Sequence, residues 1–219
     1  MIIPARNEAE RIGQVLEGIV GSVENVPVLT IVVDDGSSDR TAEIAQEHGA
    51  QVVTHAINLG KGAAMKTGCL AALAASCDVL VLMDADGQHR PSDLPAIVGP
   101  VLSGQADLVL GKRRFTTAMP ATARLGNWGL TRLFTVLFGA SFGDTQCGLR
   151  AFTDDAYHKV HWLATDYAVE TEMLVRAARA RLKTSEVEIE TIYHDVYKGT
   201  TPVDGLRILA QMIRWRLSS

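Results

Sequence analysis

The sequence is short of cysteine, of net charge and of long apolar runs, and each shortage removes a class of protein. Cys69, Cys77 and Cys147 are the only cysteines, an odd number with no metal-type pairing, and no secretory signal pattern accompanies them. Reduced thiols in a cytoplasmic compartment are therefore expected. The formal charge of −4 gives no overall attraction to nucleic acid or anionic lipid. Any binding of phosphate must then come from local arrangement, and no nucleic-acid partner is expected. The longest apolar stretch outside clear strands runs roughly from Leu125 to Phe142 and is interrupted by Asn127, Arg132 and several glycines, which makes it a poor spanning helix. There is no internal repeat, low-complexity tract or Pro/Gly/Ser linker, so residues 1–219 read as one domain.

What is present reads as an α/β protein. Hydrophobic residues make up 47% and charged residues 21% of the chain, enough for one substantial core. Buried-type apolar runs occur at Val28–Val33, Val79–Met83 and Leu108–Leu110, with segments of helical spacing between them. That alternation predicts a parallel sheet. Met1 to Pro4 reads as the end of a further buried strand whose first residues are short or missing. Helices are expected over Ala9–Ile19, with Ile12, Val15, Leu16 and Ile19 on one face, over Ser38–His48 with Gly49 as a C-cap, over Ala63–Ala75, and across Glu170–Ala180. In the last of these, Met173 and Leu174 read as core, and Glu170 and Glu172 as a solvated face.

Three strand ends carry polar clusters. The strongest is Val79 to His89, an apolar strand that runs into Asp84 and Asp86. Strand alternation aims both carboxylates the same way if extended geometry continues through Ala85. At the carboxyl end of a parallel strand they suit a hard divalent cation that bridges substrate phosphates, with Gln88 as a further oxygen ligand; the alternative is a solvated loop with capping aspartates. His89 reads as a neighbour of that group rather than a ligand. The second cluster, Asp34 to Thr41, offers Asp35 to a base or ribose hydroxyl, while Gly36 makes the turn and Ser38 or Asp39 caps the next helix. The third is Pro4 to Glu8, where Asn7 can cap a helix and Glu8 complement its dipole. Gly60 and Gly62 flank Lys61 at a helix entrance, a candidate anion site. A Gly-rich phosphate loop of the P-loop type is absent.

Taken in order, IIPARNEAERI from Ile2, VVDDGSSDRT from Val32, NLGKGAAMKTG from Asn58, VLMDADGQH from Val81, GKR at Gly111–Arg113 and DTQCGLRAF from Asp144 resemble the family 2 glycosyltransferases. Within that family the likeness is to the dolichyl-phosphate mannose synthase-like and other polyprenyl-phosphate enzymes, over roughly residues 1–153. The resemblance implies a GT-A fold, a Rossmann-like, mainly parallel central sheet flanked by helices. It also implies a GDP- or UDP-sugar donor and Mg²⁺ or Mn²⁺. Carried over by position, Pro4, Arg6, Glu8, Val33 and Asp35 would line the nucleoside. Asp84, Ala85, Asp86 and Gln88 would surround ribose, diphosphate and metal, and Arg113 would face the phosphates. Arg124 falls where such enzymes place an arginine for an anionic acceptor. The synthases' C-terminal arginine loop is replaced here by Tyr193 to Thr201, where Lys198 can supply the cation. Residues 1–114 would then form the nucleotide-sugar half and 115–219 the acceptor half.

The implied reaction is inverting transfer of a hexose to a polyprenyl or dolichyl phosphate, an acceptor already ionised near neutral pH. The alternatives are transfer to a soluble or polysaccharide hydroxyl, and a catalytically silent nucleotide-sugar binder. A hydroxyl acceptor would need a general base, for which Asp144 is the candidate unless it is a turn residue. Leu130, Leu133, Phe134, Leu137 and Phe138 share a helical face near Arg124 and Arg132, and Trp215 lies between Arg214 and Arg216 in Leu206–Leu217. Such faces suit peripheral contact with an anionic membrane, or packing on the domain itself or across a dimer.

Overall fold

The computed structural model describes residues 1–114, 121–192 and 202–218. The chain runs β1 (Ile2–Ala5), α1 (Ile12–Glu17), a hairpin of β2 (Ser22–Val23) and β3 (Val26–Pro27), β4 (Ile31–Asp34), α2 (Thr41–Glu47), β5 (Gln51–Thr54), α3 (Lys61–Ala74) and β6 (Val79–Leu82). It continues through α4 (Leu94–Leu102), β7 (Leu108–Arg113), α5 (Ala121–Phe138), β8 (Arg150–Thr153), α6 (Asp154–Val160), α7 (Val169–Arg179), β9 (Thr184–Ile189) and α8 (Pro202–Leu217).

Seven strands form one sheet in the order β5-β4-β1-β6-β8-β7-β9. All neighbours are parallel except β8, which runs antiparallel to both β6 and β7. Strands from both halves of the sequence therefore share the sheet, with β8 inserted between two strands of the first half. The central strands are apolar because both their faces are covered. Alternate residues go to opposite layers: Ile2, Ile31, Val33, Leu80 and Leu82 join the α3, α6 and α7 side. Ile3, Val32, Val81 and Met83 join the α1 and α4 side. The first layer depends on small residues in α3. A Cβ on Gly68 would lie 2.2 Å from Ile2 Cγ2, so a glycine lets the helix sit directly on β1.

The element boundaries move inward from those the sequence suggests. The first helix begins at Ile12 rather than Ala9, and the strand read from Val28 begins at Ile31. For the helix, the reason is a polar lacing of the two loops above β1 and β4. Asn7 adopts a left-handed φ of 54° and its Oδ1 accepts from the Ser38 amide at 2.8 Å, instead of capping its own helix. The Asn7 amide donates to Ser37 Oγ and the Glu8 amide to Thr41 Oγ1, both at 2.9 Å. Asp39 accepts from the Thr41 amide at 3.1 Å and from the Ala9 amide at 3.2 Å. These bonds fix the two loops against each other at the edge of the sheet where the parallel strands end.

Candidate active site

In the order β4-β1-β6 the chain reverses direction across the sheet, so the loops leaving these three carboxyl ends diverge around a crevice, the usual ligand position of an open α/β sheet. A cleft of about 360 Å³ lies there. It gathers Pro4, Arg6 and Glu8 from the first loop, Asp35 from the second, and Asp84, Ala85 and Asp86 from the third. Seven residues selected from the sequence thus come together. Asn58, Gly60 and Lys61 at the start of α3, Asp166 and Tyr167 before α7, and Asp204 and Arg207 on α8 complete the wall.

The two aspartates of the third loop stand in different electrostatic surroundings. Asp84 Oδ1 lies 2.6 Å from Lys61 Nζ. Burial alone would raise its pKa, but the Lys61 ammonium, with Arg113 beyond it, holds the carboxyl below its ordinary range. Asp86 accepts from the Gln88 amide at 3.0 Å and has no cationic partner in contact among the described residues. Burial, and then the negative charge of Asp84, push it up to about 6. Gly148, in the loop before β8, leaves room for the Asp84 carboxylate. A Cβ there would sit 2.3 Å from Asp84 Oδ2, so the chain passes directly behind the carboxylate. Buried His89 is pushed down to about 4 by desolvation, leaving a neutral ring whose Nε2 lies 3.9 Å from Asp84 Oδ2.

Six carboxylates line the cleft against Arg6, Lys61 and Arg207, a field that repels a diphosphate. No group of three or more His, Cys, Asp or Glu able to hold a metal ion occurs among the described residues. Two aspartates, one of them uncompensated, instead fit a hard cation that takes its remaining ligands from phosphate oxygens and water.

Asp35 is held differently from the sequence reading. Its Oδ1 accepts from His55 Nδ1 at 2.7 Å and from the Leu59 amide at 2.9 Å, and its Oδ2 accepts from the Gly60 amide at 2.8 Å. The Gly62 amide is taken by Thr165 O at 2.9 Å. The Leu59, Gly60 and Gly62 amides at the α3 entrance are therefore occupied by the protein's own oxygens, which leaves fewer donors there for an anion than the two glycines suggest. Gly60, at φ 97°, could carry no side chain in any case, because a Cβ would lie 2.3 Å from Thr165 O.

Several other expectations are corrected. Val33 is fully buried in the α3-side layer, so its side chain cannot line an open nucleoside pocket. Asp144 and Arg113 are partners of each other: Nε donates to Oδ2 at 2.6 Å and Nη2 to Oδ1 at 3.0 Å, with Asn127 Nδ2 adding a bond at 3.1 Å. Asp144 is fully buried, and although burial opposes its charge, Arg113 holds its pKa below the ordinary range. A sealed, ionised carboxylate is not positioned to take a proton from an acceptor. Gln88 lies outside the cleft wall and bonds through its backbone, its carbonyl accepting from Ile192 at 3.0 Å. Arg124 is exposed on α5 and also outside the wall, and Lys198 lies outside the described residues. Glu170 and Glu172 are both only 3% exposed, not a solvated face. Glu172 accepts from the Leu163 and Ala164 amides and from Arg176, whereas Glu170 meets Lys61 at 2.7 Å.

Comparison with known proteins then decides the family. The pattern described as glycosyl transferase family 2 matches residues 1–160. The chain belongs to glycosyl transferase family 2. It is 36% identical to an uncharacterized protein of Methanocaldococcus jannaschii over 99% of this chain and 91% of that one. It is 30% identical to the UDP-N-acetylglucosamine–dolichyl-phosphate N-acetylglucosaminyltransferase of Methanococcus voltae, over 99% of this chain and 95% of the relative. With the undecaprenyl-phosphate mannosyltransferase of Micrococcus luteus the identity is 29%, over 100% and 93%. Among solved structures, glucosyl-3-phosphoglycerate synthase from Mycobacterium tuberculosis in complex with Mn²⁺ and UDP-glucose superposes with a TM-score of 0.75 at 25% identity, over 99% of this chain and 77% of that one. The protein is a glycosyltransferase with the GT-A fold.

Proposed function

We propose that this glycosyltransferase moves a hexose, with inversion, from a GDP- or UDP-sugar to a polyprenyl phosphate, with Mg²⁺ or Mn²⁺ held by Asp84 and Asp86. The observation that carries the reading is the pair of aspartates at the crevice, one charge-compensated and one not. A bound cation would supply neutralisation of the charge that develops on the nucleotide diphosphate as the glycosidic bond breaks. Pro4, Arg6 and Glu8, on the loop beside Asp35, form the side of the cleft suited to the nucleoside. Asp35 acts there by shaping the Asn58–Lys61 turn as well as by any contact of its own. The acceptor phosphate is ionised at neutral pH and attacks without a base, which agrees with the sealing of Asp144 by Arg113 and Asn127.

A lipid acceptor is supported by the outer helices. The stripe Leu130, Leu133, Phe134, Leu137 and Phe138 faces the domain, with Phe134 fully buried, so its membrane role is withdrawn. The apolar residues that do face outward are others. On α5 they are Leu125, Trp128 and Val136, one helical row that includes exposed Arg132. On α8 they are Val203, Leu206, Ile213 and Leu217, again one row, with Arg207, Arg214 and Arg216 exposed beside it. The two helices pack on each other, and α8 also brings Asp204 and Arg207 to the cleft. Among the described residues no helix is long and apolar enough to cross a membrane. Apolar rows flanked by arginines suit the interface of an anionic bilayer, which would deliver a lipid phosphate beside the donor. The test is a transfer assay with GDP- and UDP-hexoses, with and without Mn²⁺, on a short polyprenyl phosphate and on water-soluble hydroxyl acceptors. Product on the lipid phosphate alone is expected, and transfer confined to the soluble acceptors would refute the assignment.

A further inference from the structure

One charged group in the cleft is not used by the chemistry above. Lys61, the first residue of α3, sets its ammonium 2.6 Å from Asp84 Oδ1 and 2.7 Å from Glu170 Oε1. Glu170 enters from α7, in the other half of the chain, and its Oε2 is buried with no hydrogen-bond partner. A single positive charge is thus divided between two carboxylates, one of which faces the proposed cation site.

The surroundings leave the three groups little freedom. Trp162 Nε1 donates to Gly62 O at 2.7 Å and the Gly62 amide to Thr165 O at 2.9 Å, which clamps the first turn of α3 against the segment leading into α7. Arg150 Nη1 donates to Glu170 O at 2.6 Å, fixing the start of α7. The Lys61 ammonium also lies 5.7 Å from the centre of the Tyr167 ring. Both ends of the bridge are anchored by backbone contacts, so the ammonium cannot follow one carboxylate without leaving the other.

We propose that Lys61 and Glu170 are positioning residues that set how strongly Asp84 holds a divalent cation. Lys61 pins the Asp84 carboxylate in place and competes with the cation for it, and Glu170 draws part of the ammonium's charge away, which keeps that competition weak. The inference rests on the reading of Asp84 and Asp86 as the cation site. It makes the affinity of the donor half depend on a carboxylate of the acceptor half.

Opposite signs follow for two substitutions. Lys61→Met removes the competing charge and leaves Asp84 free, so Mn²⁺ should bind more tightly even as the unpinned carboxylate slows transfer. Glu170→Gln keeps the shape of the side chain but returns the whole ammonium charge to Asp84, so Mn²⁺ should bind more weakly. At this separation a unit charge in a partly buried site changes the affinity of a divalent ion by about tenfold or more. If both residues only supported the fold, both substitutions would weaken binding.

The experiment is an electron paramagnetic resonance titration of Mn²⁺ into the full chain, with and without UDP, for wild type, Lys61→Met, Glu170→Gln and the charge-retaining Lys61→Arg. Tighter binding by Lys61→Met, weaker binding by Glu170→Gln and near-wild-type binding by Lys61→Arg are expected. Should Lys61→Met fail to fold, Glu170→Gln decides alone, because unchanged or tighter binding by that near-isosteric variant overturns the proposal. Wild-type binding with both variants shifted the same way overturns this inference and leaves the cation site standing. A wild-type protein that binds no Mn²⁺ overturns both.

Discussion

Removing the charge of Asp86 should make the metal-free protein more stable and the enzyme inactive. The carboxyl is raised from an ordinary 3.8 to about 6 by burial and by Asp84, so the folded state resists its ionisation. Two pKa units correspond to about 3 kcal/mol at most. Because the group is coupled to Asp84 and borders an open cleft, a realistic figure is on the order of 1–2 kcal/mol. The sign follows from linkage. Below pH 3.8 the proton is bound in both the folded and unfolded states and the group contributes nothing. As the pH rises from 3.8 through about 6 the unfolded chain releases it first, so stability falls, and above that range the full cost persists. Asp86→Asn abolishes this cost. In scanning calorimetry with chelator present, the variant should therefore melt a few degrees above wild type at pH 7.5 and level with it near pH 3.5. Adding Mn²⁺ and UDP should stabilise wild type at pH 7.5 but not the variant, and transfer should fall by about 100-fold or more. A variant that melts below wild type at neutral pH, without metal, would refute the electrostatic reasoning. One that keeps its Mn²⁺-induced shift would refute the cation assignment.

Three further outcomes are expected. Gly148→Ala should push Asp84 away from Lys61, since the new Cβ meets Oδ2 at 2.3 Å, and cost about 100-fold in transfer while the melting temperature changes little; unchanged kinetics would show that the loop yields instead. Arg113→Ala strands Asp144 as a buried, unpaired carboxylate and should destabilise the fold by about 3–5 kcal/mol in urea unfolding, with Arg113→Ala/Asp144→Ala losing less than the single variant. Leu206→Ser/Ile213→Ser, on the outward row of α8, should lower co-sedimentation with anionic vesicles at least about tenfold and leave transfer to a detergent-dispersed acceptor intact; equal sedimentation of wild type and variant would remove α8 from the membrane contact.

The parts of the fold legible in the sequence are those whose neighbours are uniformly apolar. β4, β6 and the start of β7 are covered on both faces and read as apolar runs. β8 and β9 do not. β8 begins with Arg150, which is wholly buried yet satisfied by the carbonyls of Thr145, Cys147 and Glu170, so a charged residue stands where a strand pattern expects an apolar one. Among the described residues β9 is an edge strand pairing only with β7, and its alternate residues Thr184, Glu186 and Glu188 are exposed, leaving Val187 and Ile189 as a short apolar signal.

The same distinction governs the site. Asp84 and Asp86 could be picked out because a buried strand leads straight to them, but their division into a compensated and an uncompensated carboxylate depends on Lys61, more than twenty positions away. The burial of Glu170 is hidden in the sequence for a related reason. Glu170 and Glu172 in the first turn of α7 resemble any acidic helix start, and only the packing of α3 and of the segment before α7 against them shows that one meets a lysine and the other ties down the Leu163 and Ala164 amides. Asp144 and Arg113 are each surrounded by motif residues that invite a catalytic role, yet a bidentate bond across 31 positions makes each the partner of the other. Local sequence shows where ionisable groups collect at strand ends. Whether a given group faces a substrate or a partner is set by contacts between distant segments, and in this cleft those contacts cross from one half of the chain to the other. The proposed cation site is thus incomplete without α7, and a fragment ending at Arg114 would carry both aspartates while lacking the carboxylate that shares Lys61 with Asp84.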